Sequence, residues 1–422
     1  MDKLVIGGGR PLRGKVRISG AKNASLAILC ASIMASDEVI LENIPDISDV
    51  RVMIEIIKHV GAEINWLSNS SLSIIASDAI AADPPCDLVK KLRASNLLLG
   101  PMLAKFGYAK VPLPGGCNIG IRPMDLHFKG LAGMGAEIVL ESGFALGRID
   151  HALKGDRIYL DFPSVGATEN IMMAACLAEG QTIIENVAKE PEIVDLANFL
   201  NCLGAKVRGA GTDVIKVEGV PVLGGCTRYS VIPDRIESGT YMVAAAATRG
   251  RLVLENVIPL HVEPICAKLR EAGVQIDEAD DVLTVDANGV LQPVDIRTMP
   301  YPGFPTDMQS QMMAFLATVT GTSIIIENIF ENRFQISDEL ARMGANIKVE
   351  GRMAVVEGVS SLCSAKLKAT DLRAGAALII AALAAKGKTE IYNTHFIDRG
   401  YHKLEEKLTA LGVEINRVTV TG

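Results

Sequence analysis

Thr182-Ile-Ile-Glu-Asn186 and, just beyond it, Pro191-Glu-Ile-Val-Asp-Leu-Ala-Asn-Phe-Leu-Asn-Cys-Leu-Gly-Ala-Lys-Val207 contain one structural unit in miniature. The β-branched run predicts a strand that ends at Asn186. Pro191 suits the first turn of a helix, and Ile193, Leu196, Ala197, Leu200 and Leu203 recur at helical spacing on one face. Gly204 then stops the helix, and the aliphatics after it begin another strand.

The same unit returns along the whole chain. A Gly-small-polar-aliphatic step occurs at Gly61-Ala-Glu-Ile64, Gly135-Ala-Glu-Ile138, Gly204-Ala-Lys-Val207, Gly273-Val-Gln-Ile276, Gly344-Ala-Asn-Ile347 and Gly412-Val-Glu-Ile415, at intervals of 68 to 74 residues. The strand ending in Asn recurs as Val39-Ile-Leu-Glu-Asn43, Leu252-Val-Leu-Glu-Asn256, Ile324-Ile-Ile-Glu-Asn328 and Thr389-Glu-Ile-Tyr-Asn393. The second unit has Lys110-Val-Pro-Leu-Pro-Gly-Gly116 in that place. A second helix per unit (23–34, 95–105, 167–179, 238–249, 308–320 and 373–386) is apolar nearly all round, which predicts burial. Six units of about 70 residues account for the length. Three units closing around their buried helices would make one domain, giving an α/β protein of two such domains and not a doubly wound sheet.

Composition sets outer limits. With 422 residues, 49% hydrophobic and 22% charged, the chain is neither disordered nor in need of a metal or disulfide to fold. Acidic residues (49) outnumber basic ones (42) and aromatics are only 4%, which argues against a nucleic-acid partner. Residues Met1 to Arg10 carry no signal-like apolar stretch, and the longest apolar run, Ala374 to Ala385, is 12 residues long. That is short of the ~20 a membrane helix needs, so no membrane span and a cytoplasmic location are expected. Eight cysteines without a CxxC or zinc spacing suit reduced thiols, and the six histidines show no metal-ligand pairing, so no metal is expected. Gly7-Gly-Gly9 lacks the context of a nucleotide-binding loop.

Function belongs where the repeats differ, and the starts of the buried helices do: Ser19-Gly-Ala-Lys22-Asn23, Leu92-Arg93-Ala-Ser95, Ser164-Val-Gly-Ala-Thr168, Pro233-Asp234-Arg235-Ile-Glu237, Pro305-Thr306-Asp307 and Thr370-Asp371-Leu-Arg373. Hydroxyls and acids there are ordinary caps. Lys22, Arg93 and Arg373 oppose the helix macrodipole, and a bound phosphate or carboxylate would explain them. The second unit also carries Leu113-Pro-Gly-Gly-Cys117-Asn-Ile-Gly-Ile-Arg122-Pro-Met-Asp125-Leu126, a loop with a thiol beside a guanidinium. Such a thiol is a candidate nucleophile or proton donor, whereas Cys226 sits in a glycine-flanked inter-repeat turn with no such company.

These motifs, with Glu331-Asn-Arg-Phe334 and Ile397-Asp-Arg-Gly-Tyr401, resemble the enolpyruvyl transferases over essentially the whole chain, and within them the branch whose acceptor is UDP-N-acetylglucosamine. The resemblance implies two inside-out α/β barrel domains of three repeats each. It also implies a split first domain, 1–20 with 232–422, and an inserted domain, 21–231, carrying the Cys117 loop. The implied reaction is transfer of the enolpyruvyl group of phosphoenolpyruvate to the 3′-hydroxyl of UDP-N-acetylglucosamine, with release of phosphate and no cofactor. Lys22, Arg122 and Arg399, with Asn23, match the family's positions for the anionic donor. Cys117 matches the proton donor and Asp307 the group that binds the hydroxyl and accepts its proton. Nucleotide-sugar contacts carry over to Arg93, to Arg122, Pro123, Met124, Asp125 and Leu126, to Ser164 and Val165, and to the backbone of Ile329. Glu190, Arg333, Asp371 and Arg373 lie in matched motifs as lining or closure residues. Some members carry a lysine where this chain has Phe162. Two alternatives are a relative that uses shikimate 3-phosphate, disfavoured by the Cys117 loop, and a non-catalytic scaffold, which has no reason to keep Lys22, Cys117, Asp307 and Arg399 together.

Overall fold

A computed structural model describes residues 2–76, 78–80, 83–113, 120, 123–226 and 228–419. The helices in chain order are α1 (Lys22–Ser32), α2 (Ser48–Val60), α3 (Cys86–Val89), α4 (Leu99–Phe106), α5 (Asp125–Gly133), α6 (Val165–Ala175), α7 (Pro191–Cys202), α8 (Arg235–Ala247), α9 (Pro259–Glu271), α10 (Gln309–Leu316), α11 (Ile336–Arg342), α12 (Leu372–Ala384) and α13 (Leu404–Ala410). The six repeat glycines all close their helices with positive φ, between 85° and 124°, a conformation in which a Cβ is strained.

Five of the six sheets share one plan. In the third repeat, Arg157–Tyr159 lies parallel to Gln181–Glu185, which pairs antiparallel with Val214–Glu218, which pairs antiparallel with Lys206–Arg208. The strand-ending asparagines explain this plan. Asn43, Asn186, Asn256, Asn328 and Asn393 each donate their side-chain N–H to the carbonyl of the residue just after the short parallel strand: Val231, Leu160, Ile18, Thr298 and Ala369. Four of them adopt the left-handed conformation that asparagine tolerates best among residues with a Cβ, with φ between 56° and 60°. The second repeat has no such asparagine. Among the described residues its sheet has three strands, Tyr108–Pro112, Phe144–Arg148 and Glu137–Glu141, and no parallel neighbour.

Contacts divide the chain into two compact units, residues 2–19 with 120 and 233–419, and residues 20–113 with 123–232. In the split unit α8, α10 and α12 pack on one another and are buried almost along their length, while α9, α11 and α13 lie outside. The inserted unit is centred on α1, α4 and α6. Sheets therefore form the outside and apolar helices the centre of each unit, the inside-out α/β arrangement. Each unit closes on itself: Arg228–Ser230, from the end of the third repeat, pairs with Val39–Glu42 of the first. Asp2–Gly8 lies between Gly387–Tyr392 and Glu414–Thr419.

Two features depart from expectation. The buried helix of the second repeat begins as a 3-10 turn, Arg93–Leu98, and becomes α-helical only at Leu99. Pro101 has no N–H to continue a helix from Ser95, and restarting at Leu99 places it in a first turn, where none is needed. The cysteines are not all free thiols either. Cys202, at the end of α7, and Cys226 form a disulfide across 24 residues. The bond from Gly224 N–H to the Leu203 carbonyl draws their segments together. Cys30 and Cys176 are fully buried.

Candidate active site

Asp307 occupies the 3-10 turn Thr306–Met308 that leads into α10. Arg333 Nη2 donates to one carboxylate oxygen at 2.6 Å and Arg373 Nη2 to the other at 3.0 Å. Both arginine side chains are buried (2% and 6% exposed), whereas Asp307 is 27% exposed, so the carboxylate is gripped from behind with one face open. Asp371 caps α12, accepting from the N–H groups of Arg373 and Ala374, which fixes the origin of the Arg373 side chain. Burial is the largest influence on the Arg373 charge and works against it, but Asp307, Tyr401 and Asp234 together outweigh it and move the guanidinium pKa up.

Behind Arg373 runs a hydrogen-bond chain whose polarity follows from donor counting. Thr240 gives its single hydroxyl hydrogen to the Ile236 carbonyl at 2.7 Å, so it accepts from Tyr401 at 2.9 Å. The Tyr401 oxygen then has lone pairs free for Arg373 Nη1, 3.4 Å away. Near the first crossing between units, Glu237 is 3% exposed and accepts from Lys407 Nζ at 2.6 Å and from the Ser19 N–H at 2.7 Å. Lys407 also reaches the Ser19 hydroxyl at 2.7 Å. Arg399 ends the 3-10 turn Thr394–Arg399, which packs on α12. The Ile329 N–H is taken by Glu327 Oε1 at 2.8 Å.

In the inserted unit, Lys22 opens α1 and pairs with Asp49, in the first turn of α2, at 3.1 Å. Asn23 is half-buried beside it. The Arg93–Leu98 turn is set by Asn170 on α6. Its side-chain oxygen accepts from Gly100 N–H at 2.7 Å, and its amide nitrogen donates to the Asn96 carbonyl at 3.1 Å and to His127 Nδ1 at 2.9 Å. His127 is therefore the Nε2–H tautomer, and burial lowers its pKa to about 4, so it is neutral. By holding His127 in α5, Asn170 also positions the segment Pro123–Leu126, in which Pro123 and Asp125 are exposed and Met124 is buried. Ser164 caps α6, accepting from Ala167 N–H at 3.3 Å, with Val165 half-buried next to it. Phe162 is 50% exposed. Burial pushes the Glu169 carboxyl well above its ordinary range, and the charges of Glu192 and Glu190 push the same way.

Lys22, Asn23, Arg93, Pro123, Met124, Asp125, Leu126, Ser164 and Val165 thus belong to one unit, and Asp307, Ile329 and Arg399 to the other. Cys117 and Arg122 lie outside the described residues. The anion invoked for the cationic helix starts is not needed for two of them: Lys22 and Arg373 have carboxylates, Asp49 and Asp307, 27 and 66 residues away in sequence. Asp49, Thr240 and Glu327 were not singled out from sequence, because each acts through a partner on another element. Among the described residues one group, Glu263, Cys266 and Glu278, has metal-type ligand atoms close together. Arg270 already donates to both of its carboxylates, and burial pushes the Cys266 thiol up to about 12, which ill suits a cation.

The EPSP synthase (3-phosphoshikimate 1-carboxyvinyltransferase) family matches residues 6–408. A UDP-N-acetylglucosamine 1-carboxyvinyltransferase 1 of Caldanaerobacter subterraneus is 57% identical over 415 residues, covering 98% of this chain and 99% of the relative. A UDP-N-acetylglucosamine 1-carboxyvinyltransferase 2 of Carboxydothermus hydrogenoformans is 54% identical over 99% of this chain and 100% of its own. Among solved structures, the enolpyruvyl transferase NikO of Streptomyces tendae superposes with a TM-score of 0.89 at 27% identity, covering 100% of this chain and 99% of that one. An EPSP synthase of Acinetobacter baumannii shares the fold with a TM-score of 0.78 at 19% identity, covering 99% and 100%.

Proposed function

The chain belongs to the EPSP synthase family of enolpyruvyl transferases, and on that footing we propose that it moves the enolpyruvyl group of phosphoenolpyruvate to the 3′-hydroxyl of UDP-N-acetylglucosamine. Phosphate is released, and the product is the first committed precursor of peptidoglycan. The carrying observation is that relatives 57% and 54% identical over nearly the full length are named for this acceptor, whereas the fold is shared with an enzyme named for shikimate chemistry at 19% identity.

Addition followed by elimination balances the reaction. The sugar 3′-oxygen bonds to C2 of phosphoenolpyruvate, its proton leaves to a base, and C3 gains a proton from an acid. Loss of a C3 proton then expels phosphate from C2 and restores the enol. Lys22, Arg122 and Arg399, with Asn23, are assigned to the donor's phosphate and carboxylate. Cys117 is assigned as the acid, since a thiol with a pKa near ~8.5 is mostly protonated at neutral pH. Asp307 is assigned to the 3′-hydroxyl. A carboxylate held by two guanidinium groups is a weak base, so its contribution is placement more than basicity. Arg93, Arg122, Pro123, Met124, Asp125, Leu126, Ser164, Val165 and the Ile329 backbone are assigned to the nucleotide sugar.

The domain reading that accompanies this proposal is a split domain, 1–20 with 232–422, and an inserted one, 21–231. A cytoplasmic location is supported by the substrates; among the described residues no helix is long and apolar enough to cross a membrane. The Cys202–Cys226 disulfide is unusual for a reducing compartment.

A phosphate-release assay with each acceptor tests the reading. Release from phosphoenolpyruvate should require UDP-N-acetylglucosamine, and dependence on shikimate 3-phosphate would defeat it. Cys117→Ala should lose activity in a single turnover or over many, and undiminished rates in both would remove the thiol from the mechanism. An epoxide phosphonate such as fosfomycin should leave a mass adduct on Cys117.

A further inference from the structure

Five repeats end their central strand in the same way, with an acidic residue at Glu42, Glu185, Glu255, Glu327 and, two residues earlier in its strand's register, Glu390. Four of these are partly exposed and pair with surface cations: Arg228, Arg157, Lys15 and Lys3. Glu327 is wholly buried, at 0% exposure, and its partners among the described residues are all neutral donors. Thr306 Oγ1 donates to its Oε2 at 2.9 Å, while the N–H groups of Ile329 and Phe330 donate to Oε1 at 2.8 and 3.1 Å. A buried carboxylate is stable only when its lone pairs are so occupied. Here the donors come from the turn just after Glu327 and from the segment that opens α10, beside the Asn328–Thr298 bond that fastens the strand end.

Those segments are the ones that carry function. Thr306 directly precedes Asp307 in the turn that opens α10, and Ile329 is the residue whose backbone is assigned to the nucleotide sugar. We propose that Glu327 is a positioning residue that locks the Asp307 turn to the Ile329 segment, setting the distance between the group that receives the 3′-hydroxyl and the backbone that receives the nucleotide. This rests on the acceptor-site reading above, and it assigns Glu327 no contact with substrate. The two oxygens have separate duties: Oε2 holds the Asp307 arm and Oε1 the Ile329 arm. The equivalent glutamates, tied to surface cations, have no such duty.

Steady-state kinetics of four variants separates the arms. Thr306→Val keeps the side-chain shape but removes the only hydroxyl on the Asp307 arm. It should lower kcat about tenfold or more, since small misplacements of a reacting group are expensive, and leave KM for the nucleotide sugar within about twofold. Glu327→Ala releases both arms and should lower kcat and also raise that KM about fivefold. Glu327→Gln keeps an oxygen for the Ile329 and Phe330 N–H groups and should restore KM more fully than kcat. Glu255→Ala, the repeat-equivalent control, should change neither. A purely structural glutamate would lower stability in Glu327→Ala while leaving kcat and KM of the folded enzyme, and those of Thr306→Val, as in the wild type; that result would overturn the proposal, as would an equal effect of Glu255→Ala. If Glu327→Ala does not fold, Thr306→Val and Glu327→Gln carry the test. The split is measured with whichever acceptor the wild type turns over, so a wrong acceptor and a wrong role for Glu327 give different results.

Discussion

Replacing Lys407 with Met exposes how much one buried pair contributes. Glu237 is 3% exposed and has two donors, Lys407 Nζ at 2.6 Å and the Ser19 N–H at 2.7 Å. The substitution leaves a buried carboxylate with one neutral donor, a change worth about 3–5 kcal/mol at neutral pH. The pH dependence gives the prediction its sign. Burial raises the Glu237 pKa above its ordinary 4.5, with Lys407 and the Ser19 N–H opposing, so removing Lys407 raises it further. A raised folded-state pKa supplies stability below the unfolded value and loses it as pH rises through the folded value. The gap between Lys407→Met and wild type should therefore be small near pH 4 and widen towards pH 7. Hydrogen exchange of the α8 amides reads it directly, with protection falling about a hundredfold or more at pH 7. Adding Glu237→Gln should recover most of the loss. A gap under about 1 kcal/mol at pH 7, or one that does not change with pH, would refute the reasoning.

Three further outcomes follow from the fold. Asn256→Ala forfeits the 2.7 Å bond to the Ile18 carbonyl and puts a Cβ-bearing residue without local compensation at φ 59°, so urea unfolding should show a loss of about 2 kcal/mol, against about 1 for Asn256→Gly. Gly100→Ala would set a Cβ 2.2 Å from the Asn170 carbonyl oxygen, whereas at Gly344, with φ 87°, nothing lies within 4 Å. The first should cost about 3 kcal/mol or more by forcing α4 from α6 and the second about 1–2, and a reversed order in thermal unfolding would contradict the packing. Reducing the Cys202–Cys226 bond, which closes a loop across 24 residues, should destabilise the inserted unit by up to about 3 kcal/mol, followed through Trp66, the chain's one tryptophan. No change in midpoint would show that the linkage does not restrain the unfolded chain.

The repeat count, the buried helices and the glycine stops were legible because each is a local pattern repeated at a fixed interval. The meaning of the strand-ending asparagines was not, since Asn43 finds its acceptor at Val231, 188 residues away. The same limit explains the site. Lys22, Asp307 and Arg373 stood out as polar residues at the starts of apolar helices, but their mutual charge balance involves Asp49 and Arg333, which only the tertiary fold brings near. Arg373 looked like an anion hook; the structure makes it one half of a grip on Asp307. Pro101 is a legible signal, a helix breaker inside an apolar run that the 3.6-residue pattern alone would make continuous. The disulfide had no signal at all, because neither cysteine sits in a motif and their meeting depends on the loop carrying Gly224.

The fastening asparagine has a consequence for how one copy among six could acquire chemistry. Five copies use the end of the central strand to bind their neighbour, and a change there loosens a sheet. The second copy is relieved of that obligation, having no parallel strand to hold among the described residues. Its equivalent stretch of sequence runs instead into Pro114-Gly-Gly-Cys117. Duplication alone makes six interchangeable parts; releasing a single joint gives one of them room to vary without unpicking the ring, and that is the copy in which the thiol resides.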